Sequence, residues 1–348
     1  MTTIQMQCPL PKFDFEMITL GHGSGGLLTH KLLQNGVFNV LSNDILGRQH
    51  DGALIELNGR TAFSTDSYVV SPIFFPGGNI GDLAINGTVN DLAMCGAMAK
   101  YLSLAFIIEE GLLMSEFSDL LVSIKKAADQ AGISIITGDT KVVEKGKGDK
   151  IFINTTGLGS IHDNADIAHE RIEPGDIILI SGNIATHGIA IMSVREGLEF
   201  ESDIQSDTVN LNYTVMSLID KFGHDIKFLR DPTRGGIASV LNEIAELTSL
   251  GFLIDQHSIP MDPQVEGACE MLGLDPLYVA NEGIFLAVVK KDIAKDCLRL
   301  LRRDPNGNNA AIIGEVTKDY PGKLLMNSRI GGKRLVSYLP GEQLPRIC

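Results

Sequence analysis

Strand and helix patterns alternate in both halves of the chain and predict a two-domain protein built from α/β and α+β layers. Three observations lead there. The length of 348 residues exceeds what one hydrophobic core usually organises. Hydrophobic residues make up 44% of the chain and charged ones 21%, values ordinary for a globular protein with a substantial core. A Pro174-Gly175-Asp176 turn then restarts the pattern with the apolar strand Ile177 to Ile180, which sets the domain boundary near residue 165.

Taken in order, the first half opens with a glycine-rich segment ahead of a helix-like stretch, Leu27 to Leu33. Asn58-Gly59 is a strong hairpin signal, so Ala53 to Leu57 and Arg60 to Ser64 are expected to pair, with Asp66 just beyond. An apolar strand at Tyr101 to Ile108 follows. Ser115 is the expected N-cap of a helix whose Phe117, Leu120, Leu121, Ile124, Ala127 and Ala128 recur at helical spacing until Gly132 stops it. Strands are expected at Ile133 to Thr137 and Ile151 to Thr155. In the second half the pattern predicts helices at Gly236 to Thr248 and Ile293 to Arg303, with strands at Ile284 to Val289 and Ala310 to Val316. From Leu335 onward Pro340, Gly341 and Pro345 punctuate a polar segment that reads as an extended, mobile arm. The organisation expected is therefore 1–40, 41–164, 165–334 and a tail at 335–348.

A formal net charge of −14 without a basic run opposes the phosphate neutralisation on which nucleic-acid binding depends, so no nucleic acid is expected as partner. Any polyphosphate substrate would need divalent cations as escort. No stretch approaches the roughly 18 apolar residues of a membrane span, and no basic segment leads a hydrophobic run at the start, so a cytoplasmic protein without membrane attachment is expected. Cys8, Cys95, Cys269, Cys297 and Cys348 form no Cys-x-x-Cys pair, and reduced thiols are the simplest reading.

Several segments can carry chemistry. Gly21-His22-Gly23-Ser24-Gly25-Gly26 has the backbone freedom to approach a phosphate, yet it lacks the strand and acid of a dinucleotide fingerprint; alone it is as well read as a flexible loop. Acids recur in small-residue settings at Asp51, Asp66, Asp91, Asp139 and Asp231. Each by itself is a turn or capping carboxylate, while together they offer hard oxygen ligands for magnesium holding a triphosphate. Lys141 reads either as a solvated lysine or as a cation for phosphate charge. Glu282, between Asn281 and Gly283, reads either as a turn acid or as a proton carrier. The thiol of Cys348, at the end of the arm, has no following chain to obstruct its entry into a narrow site.

These segments, in this order, resemble the HypE family, the carbamoyl dehydratases of nickel-iron hydrogenase maturation. The residues that carry the resemblance are Gly21 to Gly26, Phe63 to Ser67, Phe74 to Gly81, Gly138-Asp139-Thr140-Lys141, Asp231 to Gly236, Asn281-Glu282-Gly283 and Pro345-Arg346-Ile347-Cys348. The wider superfamily includes aminoimidazole ribonucleotide synthetase and selenophosphate synthetase. The resemblance implies an ATP-binding synthetase-like fold whose first domain pairs with its twin in a homodimer to form a shared barrel. It implies Mg2+ at Asp51, Asp66, Asp91 and Asp231. Nucleotide contacts are implied at Gly23, Ser24, Gly25, Gly26, Asn79, Asp139, Thr140, Thr233, Arg234 and Gly235, with Lys141 and Glu282 beside a modified Cys348.

The implied reaction is ATP-dependent dehydration of an S-carbamoyl group on Cys348 to a thiocyanate, the source of cyanide for the hydrogenase iron. Implied partners are a carbamoyltransferase of the HypF family and an iron scaffold of the HypC and HypD families. Three rival readings remain. A selenophosphate synthetase would place a reactive Cys beside the glycine-rich loop, where none occurs; a dehydrogenase lacks its fingerprint context; a nucleotide-gated carrier would present Cys348 without catalysis.

Overall fold

The structure is a computed structural model that describes residues 13–49, 52–197, 204–339 and 346–347. Its first part holds α1 (Leu27–Leu32), β1 (Thr61–Tyr68), the short pair β2 (Phe74–Phe75) and β3 (Gly78–Asn79), α2 (Ile80–Met94), β4 (Ala97–Glu109), α3 (Met114–Ala131), β5 (Ser134–Val143) and β6 (Ile151–Ile161). Four of the strands form a sheet in the order β1-β6-β4-β5, antiparallel except for β4 and β5. Helices α2 and α3 pack together against one face, around a core that includes Leu83, Ile85, Leu102, Phe106, Phe117 and Ile124. The opposite face stays open, with Phe63 exposed to 68% and Ile107 to 46%.

The second part comprises β7 (Ile177–Ile180), α4 (Thr186–Glu196), α5 (Asn212–Phe222), β8 (Ile226–Arg230), α6 (Gly236–Thr248), β9 (Gly251–Asp255), α7 (Pro263–Leu272), β10 (Leu286–Val289), α8 (Ala294–Leu301), β11 (Ala311–Thr317), β12 (Leu324–Asn327) and β13 (Lys333–Val336). Its seven-stranded sheet runs β13-β12-β9-β11-β7-β10-β8, with β12 and β9 the parallel pair. One apolar cluster forms around α6 and α7, and another around α5 and α8.

Local signals and structure agree where an amphipathic stripe meets a clear stop. Helix α3 ends at Gly132 in the left-handed region (φ 70°), and α6 has the expected bounds. The cap of α3 is Leu113 rather than Ser115; the Glu116 carboxylate reaches back to the Leu113 amide at 3.4 Å. The expected hairpin does not form. Residues 53–57 make no strand, leaving Leu54 exposed to 78%, and β1 instead takes eight register pairs with β6, so Asp66 lies inside a strand. Long-range pairing with a buried face outweighs the local turn. The expected arm is shorter than drawn, because Leu335 and Val336 complete β13. Arg346 and Ile347 rest against the body of the protein, Ile347 being only 2% exposed. Among the described residues no helix is long and apolar enough to cross a membrane.

Candidate active site

Gly138-Asp139-Thr140-Lys141 was expected in a turn and lies instead in the middle of β5. A Cβ on Gly138 would stand 2.0 Å from the carbonyl oxygen of Leu104, so the close approach of β4 requires glycine there. Lys141 pairs with Asp139 at 2.7 Å, and that ammonium holds the Asp139 carboxyl below its usual range. The glycine-rich segment meets this strand. A Cβ on Gly23 would sit 2.5 Å from the Val142 amide nitrogen, while Gly25 takes φ 84° and donates its N–H to Thr29 Oγ1 at 2.9 Å. Between them opens a cleft of about 260 Å³ lined by Gly23, Gly25, Thr29, Asp139, Thr140 and Lys141, with Leu33, Val37, Leu41 and Phe106 as its apolar wall. An apolar wall with a polar rim is the usual build of a small-molecule site.

Asp66 and Asp91 come from β1 and α2, and Asp231 from the loop that follows β8. Ser64 Oγ donates to Asp91 Oδ2 at 2.7 Å. Burial pushes the Asp231 carboxyl up to about 7, with the negative charge of Asp91 adding to it, and burial also raises Asp91. Arg230 offsets part of this charge. A group of carboxyls that resist joint ionisation is suited to a divalent cation. Among the described residues, however, no three His, Cys, Asp or Glu side chains close around one ion. A magnesium ion here would have to take water and phosphate oxygens as most of its ligands. Asp51 lies outside the described residues, as does its neighbour His50.

Asn90, next to Asp91, ties the two halves together: Nδ2 donates to the carbonyls of Val209 (3.0 Å) and Glu282 (3.1 Å), and Oδ1 accepts from the Leu211 amide at 2.8 Å. Asn281 ties loops within the second part. Its Nδ2 donates to the Pro232 carbonyl at 2.8 Å, and its Oδ1 accepts from the Ala185 amide at 2.7 Å. Thr233, Arg234 and Gly235 follow in the loop that leads into α6, where Gly235 and Gly236 both take positive φ. Between these bolts Glu282 is 3% exposed; burial raises its carboxyl well above the usual range, and Asp207, Asp231, Asp66 and Asp91 reinforce the shift.

The chain end reaches the same region. His187, at the start of α4, has Nε2 2.9 Å from the Ile347 carbonyl and Nδ1 2.7 Å from Ser206 Oγ. Only a protonated Nε2 satisfies a carbonyl, so Nδ1 accepts from the serine. Burial depresses His187 to about 4, which keeps the ring neutral. The Ser71 amide and the Arg195 guanidinium both donate to the Arg346 carbonyl, and the Arg346 side chain pairs with Asp149. Cys348 lies outside the described residues.

The structure thus gathers Asp66, Asp91, Asp231 and Glu282 in one electrostatic neighbourhood, and separately Gly23, Gly25, Asp139, Thr140 and Lys141 around the cleft; Ser24 and Gly26 flank the latter. The two groups stand apart within one chain. Asp66, Thr155, Leu104 and Gly138 share one row across the sheet, which puts its two edges about 14 Å apart. Asp139 and Lys141 also point to the open face, opposite to Asp66. Asn79 serves as the N-cap of α2, its Oδ1 accepting from Gly81, Asp82 and Ser123. The sequence singled out neither His187, Ser206, Asp207 nor Asn86. Thr186-His187-Gly188, at a helix start, was the available hint.

Two family models match this chain: AIR synthase related protein, N-terminal domain, over residues 49–161, and AIR synthase related protein, C-terminal domain, over residues 173–326. The chain is therefore an AIR synthase-related protein in both of its parts. The Carbamoyl dehydratase HypE of Rhizobium leguminosarum bv. viciae is 48% identical over 332 residues, 95% of each chain. A crystal structure of the hydrogenase maturation protein HypE in complex with ATP superimposes with a TM-score of 0.91 at 47% identity, covering 94% of this chain and 99% of that one. A HypE-HypF complex matches with a TM-score of 0.78 at 42% identity, over 90% and 100% of the two chains. This chain belongs to the carbamoyl dehydratase HypE family.

Proposed function

We propose that this chain uses ATP to dehydrate a carbamoyl group carried on the Cys348 thiol, yielding a thiocyanate that supplies cyanide to the iron of a nickel-iron hydrogenase. The observation that carries the reading is the seating of Arg346 and Ile347 beside His187, one residue short of the thiol, in a chain of this family. A carboxamide oxygen is a poor leaving group. Transfer of the γ-phosphoryl group of ATP to that oxygen makes phosphate the leaving group; loss of both amide protons then leaves C≡N on sulfur. The oxygen departs in inorganic phosphate beside ADP, one proton ending on the phosphate and the other in solvent. Buried Glu282 would accept or relay a proton on that path, acting as acceptor in its ionised form.

Magnesium held through Asp66, Asp91 and Asp231 would neutralise phosphate charge. The glycine cleft with Asp139 and Thr140 would hold nucleotide. Lys141 faces the open side of the sheet, where a homodimer would close two such faces into a barrel. Uncovered Phe63 and Ile107 support that pairing. The partners we assign are a HypF-type carbamoyltransferase and a HypC- and HypD-type iron scaffold, in the cytoplasm, with the docked end released to visit them.

Intact-protein mass spectrometry tests the reaction. After incubation with the transferase, carbamoyl phosphate, ATP and Mg2+, the adduct on Cys348 is expected to lose one water. An adduct on another cysteine, or one that ATP leaves unchanged, refutes the catalytic reading, and the latter leaves the carrier role.

A further inference from the structure

The glycine-rich segment leaves its flanking leucines in solvent, Leu20 being 41% exposed and Leu27 70%. One residue breaks that pattern: between Ile18 and Leu32 only His22 is buried, at 1% exposure. A loop that exposes leucines while enclosing an imidazole is not covering its apolar surface, so the ring has another task. The Thr19 amide donates to His22 Nδ1 at 3.0 Å, and the His22 amide donates back to the Thr19 carbonyl at 2.9 Å. A ring nitrogen that accepts a backbone N–H carries no proton, so the proton sits on Nε2, which has no hydrogen-bond partner. Burial also favours the neutral ring. Leucine would fill the same place without an unpaired N–H; what it could not supply is the acceptor at Nδ1.

The ring enters a fixed frame. It meets Phe15 nearly at right angles with centroids 5.2 Å apart, and with Asp14, Lys31, Leu32 and Met114 it encloses a hole of only about 10 Å³. Other bonds hold that frame without the loop: Asp14 pairs with Lys31 of α1 at 3.2 Å, and Ile18 bonds through its backbone to Gly111 and Leu112, both at 2.8 Å. On the other side Gly23 lies against Val142 of β5, next to Lys141, and Gly25 lines the cleft. His22 thus stands between a braced frame and the glycines that border the cleft.

We propose that His22 is the positioning residue of the glycine-rich loop: its ring pins Gly21 to Gly26 onto residues 13–18 and α1, and so sets the loop over the cleft before ATP arrives. This rests on the cleft being the nucleotide site, and adds a residue that touches neither ATP nor the reacting thiol. An unpinned loop spends only part of its time in the binding geometry, and affinity falls by that fraction. Turnover at saturating ATP is unaffected, because bound nucleotide seats the loop.

Titration calorimetry of the full-length chain with ATP and Mg2+ reads the affinity, and the transferase-coupled dehydration gives KM for ATP and kcat. His22→Leu, which offers Thr19 no acceptor, is expected to bind ATP about tenfold more weakly and to raise KM equally, with kcat at the parent value. His22→Asn, whose Oδ1 can take the Thr19 bond, is expected to stay within about threefold of the parent. Phe15→Ala, at a 40% exposed position, removes the ring's packing partner and is expected to weaken ATP in the same direction; it decides the question should His22→Leu not fold. Parent affinity in His22→Leu, no recovery in His22→Asn, or a fall in kcat with KM unchanged overturns the pin. Asp139→Ala tests the cleft beneath it: if that variant also binds ATP as the parent does, the nucleotide assignment of the cleft falls, and the pin with it.

Discussion

Truncating Ile347 asks whether the chain end is a separately docked segment or part of the global core. Ile347 is 2% exposed and belongs to the first-domain cluster, yet its described polar anchors are local ones: the His187 hydrogen bond, the bonds of the Arg346 carbonyl to Ser71 and Arg195, and the Arg346 side chain on Asp149 and the Val69 carbonyl. Ile347→Ala removes three carbon groups, and at about 0.8 kcal/mol each the docked state loses about 2.4 kcal/mol. At about 1.4 kcal/mol per decade, that is about a fiftyfold rise in the open population. Trypsin reads it directly, because the bond after Arg346 is covered when the end is docked. Cleavage that tracks the open fraction should therefore quicken about fiftyfold, followed as loss of the Ile347–Cys348 dipeptide by mass spectrometry. The melting midpoint should stay put, since local release does not require global unfolding. A variant cut no faster than the parent, or one that melts many degrees lower, would refute the separate-docking argument.

Two further predictions concern pH and assembly. His187 titrates near 4 in the folded protein against 6.5 when exposed, so the unfolded chain binds the extra proton between those values and stability falls with acid; lowering pH from 7.5 to 5 should cost about 2 kcal/mol, less in His187→Gln, by denaturant titration at both pH values. Arg195 faces the same ring and adds to the depression, so Arg195→Met should narrow the effect, and an unchanged pH slope in both variants would count against it. Charge on the open sheet face, as in Phe63→Glu with Ile107→Glu, should yield monomer by sedimentation while circular dichroism is unaltered, because neither side chain packs in the core; a persisting dimer would place the interface elsewhere.

The family motifs and the amphipathic or sharply bounded elements, α3 and α6 above all, were legible from residue order, because 3.6-residue periodicity and a stop glycine are local properties. Helix α2 was not: thirteen of its fifteen residues are buried, so no polar face interrupts the apolar pattern. The hairpin expected at Asn58-Gly59 failed for the complementary reason, since β1 found its partner some ninety residues away. Chemical types were likewise readable at Asp66, Asp91, Asp231, Glu282 and Lys141, but not their grouping. Only tertiary structure put Lys141 on the opposite sheet face from Asp66, brought the segment of Asp207 against those of Asn86 and Glu282, and seated Ile347 on His187. Those relations come from strand register and from contacts between distant segments, which the order of residues encodes only through the whole folded chain.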